Sequence, residues 1–161
     1  MNLSVPVIRH AEPALDGAPC AAIYAASVVG SAASFEEAPP GPAEMTSRIE
    51  RTSAGHPWLV AERGGAVAGY AYASRHRERA AYRWAADVAV YVAEEHRGAG
   101  VGAELYDALI GLLRRQRLRA ACAGISLPNP ASVALHEALG FRRVGVFPRI
   151  GHKAGAWHDV G

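Results

Sequence analysis

Apolar residues along this chain fall first on a helical period, then on a two-residue period, and then alternate between the two. Val5 to Ile8 is a short β-like run. Asp16 to Val29 is alanine-rich and carries Ile23 and Val28 at helical spacing, and a second helical stretch runs from Pro42 to about Thr52, with proline suited to a first turn. The polar stretch between them, Ser31 to Pro40, reads as a loop holding one large apolar residue, Phe35. The period then shortens. Trp58 to Glu62 and Ala66 to Ala73 read as strands joined at Gly64-Gly65, a hairpin signal. A basic loop, Ser74 to Arg79, precedes a long run of β-branched and aromatic residues from Tyr82 to Val92, expected to be a strand. Gly100 to Arg117 is expected to be helical, with Leu105, Leu109 and Leu112 on one face and Arg114, Arg115 and Arg117 at the negative end of its dipole.

Ala120 to Ser126 has the continuous apolar character of a buried strand. Asn129 and Pro130 are a cap and a first helical residue, and Leu139-Gly140 is a helix stop. Arg142 to Phe147 reads as another strand, with a final segment through Trp157. Hairpins come first and helix crossovers later, so the order predicts an α+β fold with a mixed sheet flanked by helices.

The length of 161 residues fits one domain, 1–161, with one sizeable core. Lysine plus arginine is 17 against 15 acids, a net charge of +2, which argues against nucleic-acid and membrane partners. No apolar stretch is long enough to span a bilayer, and Met1 to Arg9 lacks the layout of a signal peptide. Of the two cysteines, Cys122 reads as a small core residue, and neither has a histidine beside it in sequence. A reducing cytoplasm is expected, with no disulfide framework.

The densest chemistry lies in Val88 to Gly102. A strand ends, a short turn follows, and glycines open a helix. Glycines let the backbone approach a phosphate, free N–H groups at the helix start attract its charge, and Arg97 can add a charge-assisted contact. Gly98, Gly100 and Ala103 also fit a dinucleotide fingerprint. That reading needs an acidic residue about twenty positions further on, and Leu118 to Ile125 has neither Asp nor Glu.

The spacing Arg97-x-x-Gly100-x-Gly102 resembles the pyrophosphate signature of the GNAT superfamily of N-acetyltransferases. Further blocks narrow the likeness: His56 to Glu62, Ala81 to Trp84, Ser126 to Phe141, Gly151 to Lys153 and Trp157 to Val160. Together they resemble the branch of phosphinothricin and methionine sulfoximine or sulfone acetyltransferases, from about Val7 onward. The resemblance implies a GNAT α+β fold with a mixed, mostly antiparallel sheet. It implies acetyl-CoA as co-substrate, no metal, a small-molecule amine acceptor and a homodimer. It places the CoA pyrophosphate on Arg97, Gly98, Ala99, Gly100, Val101 and Gly102, and the pantetheine arm along Val90, Tyr91 and Val92. Asn129 matches a position that contacts CoA, and it can also cap its helix. Arg77, Arg79 and Tyr82 match a segment near the acceptor, where arginines can clasp anionic groups, and Phe35 matches an aromatic wall. His76 stands where this branch usually has tryptophan, and the branch continues past Trp157 to Val160 with more of a final strand. A short last strand is therefore expected before Gly161.

Acetyl transfer to an amine needs a base, because an α-amino group is largely protonated at neutral pH. Asp87 interrupts an otherwise apolar strand, where a carboxylate is costly unless paired or used. The branch has glutamate there, so the shorter aspartate suits removal of a proton through a water. His136, seven residues after Asn129, stands where many relatives have a tyrosine that protonates the CoA thiolate, and imidazole suits either acid or base work. Sequence leaves open which of the two is the base. His136-Glu137 opens no zinc motif, since position 140 is glycine, and the other histidines have no metal spacing. Two further readings stay open: a different amine acceptor, or a CoA-binding module without catalysis.

Overall fold

The computed structural model describes residues 5–161; Met1 to Ser4, part of the segment read above for a leader, lie outside it. The elements run β1 (Val7–His10), α1 (Pro13–Val29), α2 (Pro42–Ser53), β2 (Trp58–Arg63), β3 (Ala66–Arg75), β4 (Ala85–Val92), α3 (Val101–Arg115), β5 (Ala120–Cys122), β6 (Ser126–Leu127), α4 (Pro130–Ala138), β7 (Phe147–Lys153) and β8 (Ala156–Val160). This is an α+β arrangement, as the order of elements predicts, and the described residues form two compact units. One takes the chain up to Ile23 together with Gly41–Ala123, and the other takes Tyr24–Pro40 and Gly124–Gly161.

The first unit holds a five-stranded sheet in the order β1-β2-β3-β4-β5. Its first three pairings are antiparallel and the last is parallel. Gly64 and Gly65 take φ of 60° and 81° between paired Arg63 and Ala66, the left-handed geometry that a tight hairpin demands. α3 packs across β1 to β4 with Val101, Leu105, Tyr106, Leu109 and Leu113 buried. The i, i+4 row 101–105–109–113 forms the core face, so Leu113 takes the place expected of Leu112, which is half-buried. Each such leucine stabilises by roughly 1.5–3 kcal/mol through burial. Met45 and Ile49 do the same from α2. Trp58 stacks on Tyr72, ring centroids 4.3 Å apart, and on Tyr70 at 5.4 Å; Tyr70 in turn meets Tyr91 at 5.3 Å.

The fully buried carboxylate of Asp16 is held by both terminal nitrogens of Arg9, at 2.7 and 2.9 Å, and accepts from the Glu12 N–H at 2.7 Å. Arg9 also donates to Glu62 at 3.2 Å, so one guanidinium ties β1, α1 and β2 together, and these bonds push its pKa up.

The second unit holds the end of α1, the loop with Phe35, α4, and a three-stranded antiparallel sheet in the order β6-β8-β7. Three expectations change. Tyr82 ends a 3-10 turn, Ala80–Tyr82, and the strand begins only at Ala85. The apolar run after Arg119 divides into β5 and β6, which join different sheets. The strand expected over Arg142 to Phe147 lies later, at Phe147–Lys153. Its register is set by a turn at Ala154-Gly155, with φ of 52° and 76°, which pairs Lys153 with Ala156. The Val144 and Val146 side chains that suggested the earlier strand are exposed.

Candidate active site

Asp87 lies on β4 opposite Ser74 of β3. Since side chains alternate along strands, it shares a sheet face with Tyr72 and Tyr91. β5 pairs with β4 only from Ala85 to Asp87, ending with Asp87 against Cys122, while β4 runs on to Val92. The strands therefore part at Asp87. Beyond that point Val90, Tyr91 and Val92 keep their ladder to β3, through Ala71, Tyr70 and Gly69.

Asp87 Oδ1 is 2.6 Å from His76 Nδ1, and the ring of His76 meets Tyr82 edge-on at 5.7 Å. The side chains of His76 and Asp87 are 22% and 44% exposed, so the pair is within reach of a ligand. Cys122 completes a group: donor atoms of His76, Asp87 and Cys122 all lie within 4.8 Å of one another. Cys122 is thus half-buried at a strand end, not a core residue, and it does have a histidine beside it in space. Burial pushes its thiol pKa up, the Asp87 carboxylate adds to the shift, and Arg77 offsets part of it. Sequence spacing missed this group because its members come from the ends of three neighbouring strands. Counting across the β3–β4 hairpin would have found the histidine, since Ser74 faces Asp87 and residue 76 follows two places on.

The loop between β3 and β4 keeps Arg77, Arg79 and Tyr82 exposed. Arg77 donates to the His76 carbonyl at 3.3 Å, and Arg79 precedes the 3-10 turn. Its neighbour Arg75 is tied to Glu78 at 3.1 Å.

The turn after β4 has the features an anion cradle requires. Gly98 and Gly100 take φ of 71° and 83°, a left-handed backbone that side chains resist. A Cβ at Gly98 would meet nothing within 4 Å, so the surface there is open. Gly100 is the N-cap of α3 and offers no side chain to the first turn. The first hydrogen bond into the helix is Glu104 N–H to the Gly100 carbonyl at 3.1 Å, so the N–H groups of Val101, Gly102 and Ala103 face out of the helix end. Ala99 is half-buried, and Arg97 is exposed, its Nε 3.4 Å from the Val92 carbonyl. These residues suit the pyrophosphate of a CoA thioester.

In the second unit, Asn129 caps α4 by accepting the Ser132 N–H at 3.2 Å. His136 is buried, with Nδ1 2.7 Å from the Ser132 carbonyl and its ring edge-on to Phe141 at 5.1 Å. A carbonyl can only accept, so Nδ1 carries the proton and Nε2 the lone pair in the neutral ring. Phe35 covers Gly151, where a Cβ would sit inside the phenyl ring, and lies 6.1 Å from the ring of His158. Lys153 donates to the carbonyls of Val28 and Ser34, both at 2.6 Å, and so anchors the chain leading into Phe35.

Comparison with known proteins shows the family of the chain. Residues 24–141 match the Acetyltransferase (GNAT) family. The chain is 43% identical over 131 residues to a phosphinothricin N-acetyltransferase of Streptomyces viridochromogenes, covering 81% of this chain and 72% of that protein. It is 37% identical over 141 residues to an L-methionine sulfoximine/L-methionine sulfone acetyltransferase of Pseudomonas aeruginosa, covering 86% and 82%. The crystal structure of a GNAT superfamily phosphinothricin acetyltransferase from Sinorhizobium meliloti, in complex with acetyl-CoA, superposes with a TM-score of 0.92 at 39% identity, covering 97% of this chain and 85% of that one.

Proposed function

Because this chain belongs to the acetyltransferase (GNAT) family, and so transfers acetyl from acetyl-CoA to an amine nitrogen, we propose that its acceptor is the α-amine of a small amino-acid analogue such as phosphinothricin, methionine sulfoximine or methionine sulfone. The observation that carries this reading is the loop over Asp87. Arg77 and Arg79 are exposed on the loop that leads into β4, whose one carboxylate is Asp87, and guanidinium groups suit an acceptor carrying a carboxylate and a second polar group. The family match runs through both compact units, which supports one catalytic domain over 1–161.

Acetyl-CoA supplies the activated acyl group. The backbone of residues 97–102 takes its pyrophosphate, with Arg97 as counter-charge. The edge of β4 beyond Asp87, at Val90, Tyr91 and Val92, takes the pantetheine arm by extending the sheet. Asn129 adds a contact to CoA from the start of α4. Tyr82 and Phe35 are each assigned a contact with the acceptor in this reading. Asp87 serves the side of the reaction that removes the amine proton, and His136 the side that returns a proton to the departing sulfur. The fixed tautomer of His136 supports that role, because the ring protonates at Nε2 without losing its anchor on Ser132.

The protein works in the cytoplasm as a homodimer in this reading. Exposed Val144, Phe147, Ile150 and Trp157 in the second unit support a second copy as the cover of that surface, and light scattering at the monomer mass sinks it.

The experiment that tests the acceptor is CoA thiol release with phosphinothricin, methionine sulfoximine and methionine sulfone, the N-acetyl product being confirmed by mass spectrometry. Turnover of one of the three is expected. Turnover of peptide N-termini with none of these amino acids overturns the assignment.

A further inference from the structure

His76 stands one residue past the end of β3, and its imidazole closes on Asp87 with the shortest side-chain contact of the loop, 2.6 Å from Nδ1 to Oδ1. A neutral imidazole bonded to a carboxylate through Nδ1 keeps its proton there and presents its lone pair at Nε2. The ring is held on a second side by Tyr82, edge-on at 5.7 Å, and remains 22% exposed. The pair stands where β4 and β5 part, Asp87 against Cys122 being the last rung of that ladder. The groups facing the imidazole are Asp87 from β4, Cys122 from β5 and Tyr82 from the 3-10 turn, with Arg77 adjoining it in the loop.

We propose that His76 is the catalytic base for the acceptor amine, with Asp87 as the positioning residue that fixes its tautomer and stabilises the imidazolium. This rests on the acyl-transfer reading above and assigns the proton to a residue that sequence did not nominate. An Asp87 carboxylate bound to Nδ1 is a poor acceptor for a second proton, whereas the Nε2 lone pair is directed away from it. The acceptor's ammonium gives one proton to Nε2, which leaves a lone pair on nitrogen. That nitrogen forms its C–N bond to the acetyl carbon as the C–S bond breaks, and the sulfur leaves with the bonding pair. The second proton lost by nitrogen goes to the CoA sulfur, and His76 returns its own to solvent.

The test combines His76→Gln, Asp87→Asn and the double variant, with His76→Asn as the alternative should the glutamine form fail to fold. Turnover is measured with whichever amine the wild type acetylates best. Imidazole ¹⁵N shifts of the histidine-labelled wild type and of Asp87→Asn are read in parallel, and these need no acceptor. A positioned base is worth roughly 10²–10⁴ in rate, so His76→Gln is expected to lower kcat at least about 100-fold. KM for the amine and Kd for acetyl-CoA stay within about twofold, and the fall of kcat toward acid pH disappears. Two groups acting as one unit are non-additive, so the double variant is no slower than the worse single one. The shifts place the His76 proton on Nδ1 in the wild type and lose that preference in Asp87→Asn. Near-normal kcat and an intact acidic limb in His76→Gln, or a His76 ring protonated at Nε2, overturn the proposal whatever amine is turned over. Loss of turnover on amino-acid analogues alone overturns only the acceptor assignment.

Discussion

Two glycines, one in each compact unit, are constrained for opposite reasons. Gly100 is needed for its backbone, with φ at 83°, and Gly151 is needed for its empty side, which the Phe35 ring fills. Valine at position 100 is β-branched and resists that φ, and its side chain would crowd the face proposed for phosphate. Gly100→Val is expected to abolish acetyl-CoA binding by calorimetry while circular dichroism still reports a folded chain; unchanged affinity would refute the pyrophosphate assignment. Gly151→Ala pushes Phe35 aside and is expected to lower kcat/KM for the amine about tenfold, with acetyl-CoA affinity preserved, in the spirit of small displacements that spoil a bound geometry. Unaltered kinetics would remove Phe35 from the acceptor wall. The two residues differ in how far sequence betrays them. Gly100 belongs to a local pattern of strand, turn and helix start. The partner of Gly151 lies far away in the chain, and no periodicity encodes that meeting. The same holds for Cys122, whose apolar neighbours suggested a core that the short β5 does not supply.

Elements whose ends carry their own chemistry were legible. Asn129, Pro130 and Gly140 bound α4 as expected, with Gly140 at φ 87°, and Gly64-Gly65 closes its hairpin. Strand limits governed by a distant partner were not, which is why Arg142 to Val146 read as a strand and Phe147–Lys153 is one. The tie among β1, α1 and β2 also escaped sequence, because Arg9, Asp16 and Glu62 each look like ordinary surface charges. Removing one member of a buried pair strands the other, so Arg9→Met is expected to cost about 3–5 kcal/mol. Urea denaturation measures it, and a loss below about 1 kcal/mol would mean that Asp16 finds another partner.

At the scale of the whole molecule, burial is the main cause that ties two core groups, Cys20 and Tyr106, to the response to alkali. Burial pushes the Cys20 thiol from its ordinary value near 9 up to about 12, and Tyr106 is raised as well by the same cause. An acid whose folded pKa is raised favours the folded state while protonated in both states. Its contribution is full below about pH 9 and is lost as pH climbs toward 12. Cys20→Ala is therefore expected to lose less stability than the wild type between these limits, as read from denaturant midpoints; equal losses would leave Tyr106 as the source. Fold class and family were readable because they rest on many weak local signals, whereas the proposed order of protons rests on one hydrogen bond between a loop residue, His76, and Asp87 of β4. A last consequence follows from Lys153, whose ammonium clamps the Val28 and Ser34 carbonyls just ahead of Phe35. The segment proposed as the acceptor wall is thus held by a residue more than a hundred positions further along the chain. If Phe35 meets the acceptor as proposed, a library aimed at new acceptors should diversify the codons of the β7–β8 hairpin together with those around Phe35, since a change in either shifts the same ring.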